Sequence, residues 1–327
     1  DPSVFSAVYM TDIHTSHSDE DPNGIKDTAE KFNSTLAEAA SRKNISLLLS
    51  AGDQASEGYE AEYKGYSSAL GLKSFPVATS IGNHDRKGVA YKTFKNLPNE
   101  RTDNMVASYI GGNYWFTRGD VLFLVVDSNN ASGMDHRAFV KSAVDANPDV
   151  KWKVMMMHHD LYSGRIPHRE SENGLLRMIW GPIADEFAID LVLLGHSHYY
   201  TISNVLYNNK PVATVENNAT ITDPNGTIYM VTGSINRPRG EEEDTSLRES
   251  DIGHAVLTTE KIYNLGYKIK TEHTASKNNY LFLLRSLNGI INPASVKLND
   301  QPCLCAVEIY NVITNGFLPL KAYGILG

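Results

Sequence analysis

Apolar positions gather along the chain in short blocks, and two spacings recur. The runs Val4 to Met10, Ile45 to Leu49, Val77 to Ile81, Val121 to Val126, Val154 to Met157 and Ile189 to Leu194 are strand-length and mostly aliphatic, which predicts buried strands. Between some of them, Ile25, Phe32, Leu36 and Ala39 recur at the spacing of one helix face, and Leu175, Leu176, Ile179, Ile183 and Phe187 repeat it further on. Strands alternating with helices predict an α/β fold with buried, partly parallel sheets.

From Tyr199 to Ser234 the pattern becomes that of hairpins, with turns at Asn208-Asn209-Lys210 and Asp223-Pro224-Asn225-Gly226. Arg118-Gly119-Asp120 also reads as a hairpin turn rather than an adhesion motif. Beyond Ile252, Ala255 to Thr258 and Ala306 to Val312 look like strands, while Leu281 to Ile291 fits strand or helix. No repeat or Pro/Ser linker divides the chain, and the charge run Glu241 to Asp244 suits a loop. The organisation expected is one domain over residues 1–327, with 270–327 a β-rich C-terminal extension.

The 30 basic against 38 acidic residues give a net charge of -8, so the chain lacks the positive field that would hold a nucleic-acid backbone. No apolar run approaches the roughly 20 residues of a membrane-spanning helix. Cys303 and Cys305 stand one residue apart, where a disulfide would be badly strained, so strand packing is the preferred reading for both. The first residue, Asp1, is not Met, as after removal of a signal peptide or trimming. With sequons at Asn33, Asn44, Asn130, Asn218 and Asn225, the expected location is extracellular or in the cell envelope, with the cytoplasm as the alternative.

Chemistry concentrates where strands end. Five aliphatic runs are followed by metal-ligand residue types: Asp12-Ile13-His14, Gly52-Asp53, Gly82-Asn83-His84-Asp85, His158-His159 and Gly195-His196-Ser197-His198. Six of the chain's 11 histidines lie in these bursts, and in α/β sheets ligands bind beyond the strand carboxyl ends. Carboxylate, imidazole and amide oxygen together suit Zn, Mn or Fe better than Ca or Mg. In Asp-x-His and His-x-His an extended backbone would turn both side chains to one face. Seven or eight candidate ligands exceed one tetrahedral site, which predicts two metal ions sharing a carboxylate.

In this order the motifs resemble the calcineurin-like metallophosphoesterase superfamily. The segment His158-His159-Asp160-Leu161-Tyr162-Ser163-Gly164, with Asn225-Gly226-Thr227 and Val231-Thr232-Gly233-Ser234, is similar to its purple-acid-phosphatase-like secreted branch. The resemblance implies a four-layer α/β/β/α sandwich of two mixed sheets with helices outside. It implies one metal on Asp12, His14 and His198, another on Asn83, His158 and His196, and Asp53 between them. It further implies hydrolysis of a small phosphate mono- or diester by a metal-bridging hydroxide attacking in line, at two divalent or mixed-valence transition metal ions. His84, with Asn83 a contact of the substrate, would stabilise the transition state or protonate the leaving group, and Asp85 would orient it. Three departures stand out: His14 replaces a small residue, Ser56 replaces a metal-binding Tyr, so no purple colour is expected, and Asp160 replaces a common Pro.

Plainer readings compete for single residues. Asp12 and Asp53 are also possible helix caps, His84 a support of the metal shell, and His17 a polar loop residue. Arg165, His168 and Arg169 are weak candidates for substrate contact against a solvated loop. For the whole chain, the alternative to an enzyme is a catalytically inactive binding scaffold with the same fold.

Overall fold

All six aliphatic runs become strands, several of them trimmed by one or two residues. A computed structural model describes residues 5–17, 32–33, 35–37, 45–69, 76–87, 90–103, 112–162, 170–198, 201–213, 225–231, 234, 267–269, 280–286, 292–298 and 301–309. In the first sheet, β1 (Phe5–Met10), β2 (Ile45–Ser50) and β3 (Val77–Thr79) run parallel. In the second, β5 (Val121–Val125), β6 (Trp152–Met156) and β7 (Leu191–Leu194) run parallel, with β4 (Tyr114–Arg118) antiparallel at the edge.

The remaining strands complete two mixed sheets. β8 (Thr201–Ser203), β11 (Ile228–Val231) and β12 (Tyr267–Ile269) extend the second sheet beyond β7 in the order β12-β8-β11-β7-β6-β5-β4. β9 (Val205–Tyr207) and β10 (Lys210–Ala213) form a hairpin whose turn residues Asn208 and Asn209 have φ of 49° and 57°, the left-handed pair that a tight hairpin needs. Of the run Leu281 to Ile291, which fits strand or helix on spacing alone, the described part belongs to strand β13 (Tyr280–Ser286), antiparallel to β1, and residues 287–291 lie outside the described residues. With β14 (Asn292–Leu298) and β15 (Gln301–Ile309) it widens the first sheet to β14-β15-β13-β1-β2-β3. Cys303 and Cys305 lie on β15 opposite Tyr280 and Phe282. The segment Ala255 to Thr258 and the Asp223-Pro224 part of the second turn lie outside the described residues.

Alternation along the strands builds the layers. Phe5, Ala7, Tyr9, Leu47 and Leu49 of the first sheet share one core with Phe123, Val125, Val154, Met156, Leu191 and Leu193 of the second. The alternate residues Leu122, Leu124, Met155 and Val192 face the other way, onto Phe139 and Val140 of α2 (Gly133–Asp145) and Trp180 and Ile183 of α3 (Glu170–Glu186). Each such side chain contributes about 1.5 to 3 kcal/mol by leaving water. Near the first sheet, buried Phe32 stacks on Tyr66 of α1 (Glu60–Ser68) at 5.2 Å. One helical expectation is corrected: Leu175 is 60% exposed while Leu176 is buried, because neighbours 100° apart cannot both face a narrow core stripe. No described helix is long and apolar enough to cross a membrane.

His136 on α2 is fully buried against Trp180, ring centroids 4.2 Å apart. Its Nε2–H donates to the Asn130 carbonyl at 2.8 Å, and Nδ1 accepts from Asn113 Nδ2 at 3.1 Å, a pattern that fits only the neutral ring. Burial pushes its pKa down to about 4, against the pull of the Asn130 carbonyl and Asp135. The unfolded chain therefore takes up this proton first, near pH 6.5, and stability falls as pH drops from there to about 4. The loss reaches roughly 3 kcal/mol. Thermal melts from pH 7 to 4.5 should show His136→Gln less acid-sensitive than the parent; parallel slopes would refute this.

Candidate metal centre

The carboxyl ends of β1, β2 and β3 meet those of β6 and β7, and the five bursts leave the sheets together. Backbone bonds stitch them: Asp12 N–H donates to Gly52 O at 3.1 Å, His14 N–H to Asp53 O at 2.9 Å, and Gly195 N–H to His158 O at 2.8 Å. The expected extended backbone is not what turns the pairs inward. Asp12, His14, Asp53, His196 and His198 have φ of 52°, 50°, 51°, 71° and 62°, a left-handed conformation costing a non-glycine residue roughly 1 to 2 kcal/mol. Alternate left-handed residues curl the chain so that i and i+2 converge on a point beside the strand end. No described helix begins within the five residues after Asp12 or Asp53, so neither is a helix cap.

Among the described residues, four overlapping groups of three side chains result, each with its potential ligand atoms within 4.8 Å of one another. Besides His14, Asp53 and His84, and His159, Glu172 and His196, they are the two that join the predicted ligands: Asp12, His14 and His198, and Asp53, His158 and His196. In the first, His198 Nε2 lies 3.1 Å from Asp12 Oδ1 and 3.3 Å from His14 Nε2. In the second, His158 Nε2 lies 3.3 Å from Asp53 Oδ2 and 3.0 Å from Asn83 Oδ1. Asp53 Oδ2 is also 3.7 Å from His14 Nε2, so this carboxylate borders both groups. His158, not His159, faces Asp53; His159 bonds Ser128 Oγ at 2.8 Å and, with Glu172, flanks the outer side of His196. Arg165, His168 and Arg169 lie outside the described residues.

The surrounding contacts hold these atoms in place. Thr11 Oγ1 lies 2.8 Å from Asp12 Oδ2, which also accepts from His196 N–H at 2.9 Å. Asp53 Oδ1 accepts from His84 N–H at 2.9 Å. His158 Nδ1–H donates to Ala51 O at 2.9 Å, which leaves Nε2 as the ligand atom. Asp160 accepts from Tyr162 N–H and from the Ser197 hydroxyl at 2.6 Å, tying the His-His loop to the Gly-His-Ser-His loop. Ser56 bonds Ser16 Oγ and the His14 carbonyl.

Asp85 departs from its expected contact with His84. Its oxygens accept from Gln54, Ala55 and Gly82 N–H and from Tyr63 OH at 2.7 Å, so it clamps the Asp53 loop from beneath. The Ser56 carbonyl orients His84 instead, through Nδ1. Thr11, Ser128 and Glu172 carry no spacing signal in the sequence; only the fold brings them to the site.

Burial alone would raise the Asp12 and Asp53 carboxyls, yet neighbouring histidines outweigh it. His198, His158 and His14 hold Asp12 well below the carboxylate range, and His158 and His14 bring Asp53 to about 2, against the opposing charge of Asp12. Burial would likewise lower His158, but Asp53 and Asp12 raise it to about 9. Asp12 Oδ1 is buried and receives no hydrogen bond among the described residues. An orphaned carboxylate oxygen facing imidazoles, in a cluster that favours positive charge, fits a first-row dication.

Gly52, at φ 90°, lies under this cluster, and a Cβ there would come within 2.5 to 2.7 Å of His158 Nδ1, Cγ and Cβ. Gly52→Ala should therefore cost roughly 2 to 4 kcal/mol and weaken metal binding tenfold or more, read by calorimetric melting and metal titration. Parent-like melting together with parent-like affinity would contradict the packing described.

The calcineurin-like phosphoesterase family model matches residues 6–200. The chain belongs to that family. A phosphoenolpyruvate phosphatase of Allium cepa is 28% identical over 118 residues, 32% of this chain and 24% of that protein. A purple acid phosphatase of Glycine max is 24% identical over 164 residues, 44% of this chain and 34% of that one. This chain thus spans about a quarter to a third of the length of the curated relatives it matches. The purple acid phosphatase from yellow lupin (Lupinus luteus) seeds shares the fold, with a TM-score of 0.56 at 17% identity over 70% of this chain and 43% of that one. That family is, as a family, one of metal-dependent phosphoester hydrolases.

Proposed function

We propose that this chain hydrolyses small phosphate mono- or diesters at a dinuclear centre. Asp12, His14 and His198 would hold one ion, Asn83, His158 and His196 the other, and Asp53 would serve both. The observation that supports this most is the adjacency of two three-residue ligand groups with Asp53 at their border. When bound, two Zn, Mn or Fe ions supply Lewis acidity for the phosphoryl oxygens and a water acidic enough to ionise near neutral pH.

The chain's own residues do the rest. Asp12 and Asp53 are ionised throughout the physiological range, so the seat for the cations needs no prior proton loss from them. Asn83 offers an uncharged oxygen, so the donor set does not neutralise the site, and an anionic ester is attracted to it. His84 Nδ1–H is held by the Ser56 carbonyl, which makes Nε2 the atom that exchanges a proton with the leaving oxygen.

A location outside the cytoplasm rests on the resemblance to a secreted branch. Of the sequons, Asn33 and Asn225 are exposed, while Asn130 is buried and accepts from Ser132 N–H. The deciding experiment is elemental analysis of the purified protein with a panel of aryl phosphate mono- and diesters. About two metal equivalents with turnover is the expected result; metal-loaded protein inert towards the whole panel would favour the scaffold instead.

A further inference from the structure

Away from the metal centre, the open edges of the two sheets part around a cavity of about 450 Å³. Strand β3 ends one sheet and β4 the other, and Tyr114 of β4 closes the gap at its inner end, its hydroxyl 2.8 Å from both N and O of Thr79. Val77, Ala78, Phe94, Pro98, Phe116 and Tyr66 give the cavity mostly apolar walls. None of the seven metal-ligand candidates lines it.

Among the described residues, Lys95 is the one charged residue in that lining. Its Nζ lies 4.1 Å from the Tyr66 ring centroid, 5.7 Å from that of Tyr63 and 5.9 Å from that of Tyr91, so aromatic faces surround it. Lys64, Lys92, Lys141 and Lys151 each pair with a carboxylate, whereas no carboxylate among the described residues forms an ion pair with Lys95. Asp85 acts on it only at a distance, its oxygens being engaged by backbone N–H groups and Tyr63. Lys95 is half-buried, so its ammonium gives up part of its hydration, and ring quadrupoles return about 0.5 to 2 kcal/mol to a cation. Burial accordingly pushes the amine down to about 8.

We propose that this cavity is a second binding site, for a small amphipathic monoanion: an apolar carboxylate whose acid group meets Lys95 and whose aromatic or branched body lies against Val77, Phe94 and Phe116. The volume falls in the range that takes small organic ligands, and few polar groups with one fixed charge among apolar walls is the usual make-up of such sites. A carboxylate supplies the countercharge that the rings do not. A neutral apolar molecule leaves the ammonium as it was.

The test is calorimetric titration of the full chain with 3-phenylpropionate and, as its neutral counterpart, 3-phenylpropan-1-ol. Excess inorganic phosphate is present throughout to occupy the metal centre. The parent should bind the carboxylate saturably and at least tenfold more tightly than the alcohol. Lys95→Met should abolish that preference, and Ser67→Trp, at the exposed rim, should abolish both. Lys95→Gln serves as the neutral variant if Lys95→Met does not melt like the parent. Absence of saturable binding at millimolar carboxylate, or a tenfold preference that survives loss of the amine, would overturn the proposal.

Discussion

Asp53→Asn should lower turnover by a factor of 10³ or more and bring metal content below one equivalent, measured by steady-state hydrolysis of an aryl phosphate and by elemental analysis. The substitution keeps the side chain's shape and leaves an oxygen to accept the His84 N–H, so the loop is not deprived of its hydrogen bond. What disappears is the charge. Asp53 is the largest attraction acting on His158 and stands 3.7 Å from His14, so one neutral amide weakens both ligand groups together. A factor of 10³ corresponds to about 4 kcal/mol, within reach of a carboxylate that loses its grip on two cations. The metal-free fold should lose some stability, because the attraction to His158 and His14 that disappears outweighs the repulsion from Asp12 that goes with it. Full metal content with undiminished turnover would show that Asp53 does not serve both sites.

The position of the site was legible because the chemistry falls where parallel strands end. Strands are recognisable as aliphatic runs, and in such sheets their carboxyl ends share one edge. The way the ligands converge was less so. Five of the seven candidates are left-handed, and nothing in residue order announces the sign of φ, although Asp, Asn and His are the non-glycine types that tolerate it best. Glycine gives the firmer clue: Gly52 and Gly195 precede Asp53 and His196 where a Cβ would strike His158 or, at Gly195, Asp12 Oδ2 at 2.8 Å.

Neighbourhood in sequence misled at Asp85. Residues 83–87 form a tight turn running into a 3-10 segment, so consecutive side chains diverge, His84 into the site and Asp85 beneath the Asp53 loop. The C-terminal strands were ambiguous for another reason. Leu281 to Ile291 suits strand or helix by spacing, and for its described part, up to Ser286, pairing with β1, far away in sequence, decides for strand. Glu172 reads as one more polar residue in the first turn of a helix; its approach to His196 at 3.6 Å exists only in three dimensions.

His84→Ala should leave metal content unchanged and slow hydrolysis by about 10²- to 10⁴-fold, the range for losing a general acid. Structure alone admits a competing role, because His84 falls with His14 and Asp53 in a third group of potential ligands, its ring edge-on to His14 at 4.8 Å. The leaving group separates the two. When protonated, the imidazole donates through Nδ1 to the Ser56 carbonyl and through Nε2 to the departing oxygen. An alkoxide needs that proton, whereas a nitrophenolate departs without it, so the deficit should be at least tenfold larger for an alkyl ester than for a nitrophenyl ester. A ligand role predicts the opposite: metal content drops and both esters suffer alike. Measuring metal stoichiometry and the two rate ratios on one preparation therefore assigns His84 to the reaction or to the metal.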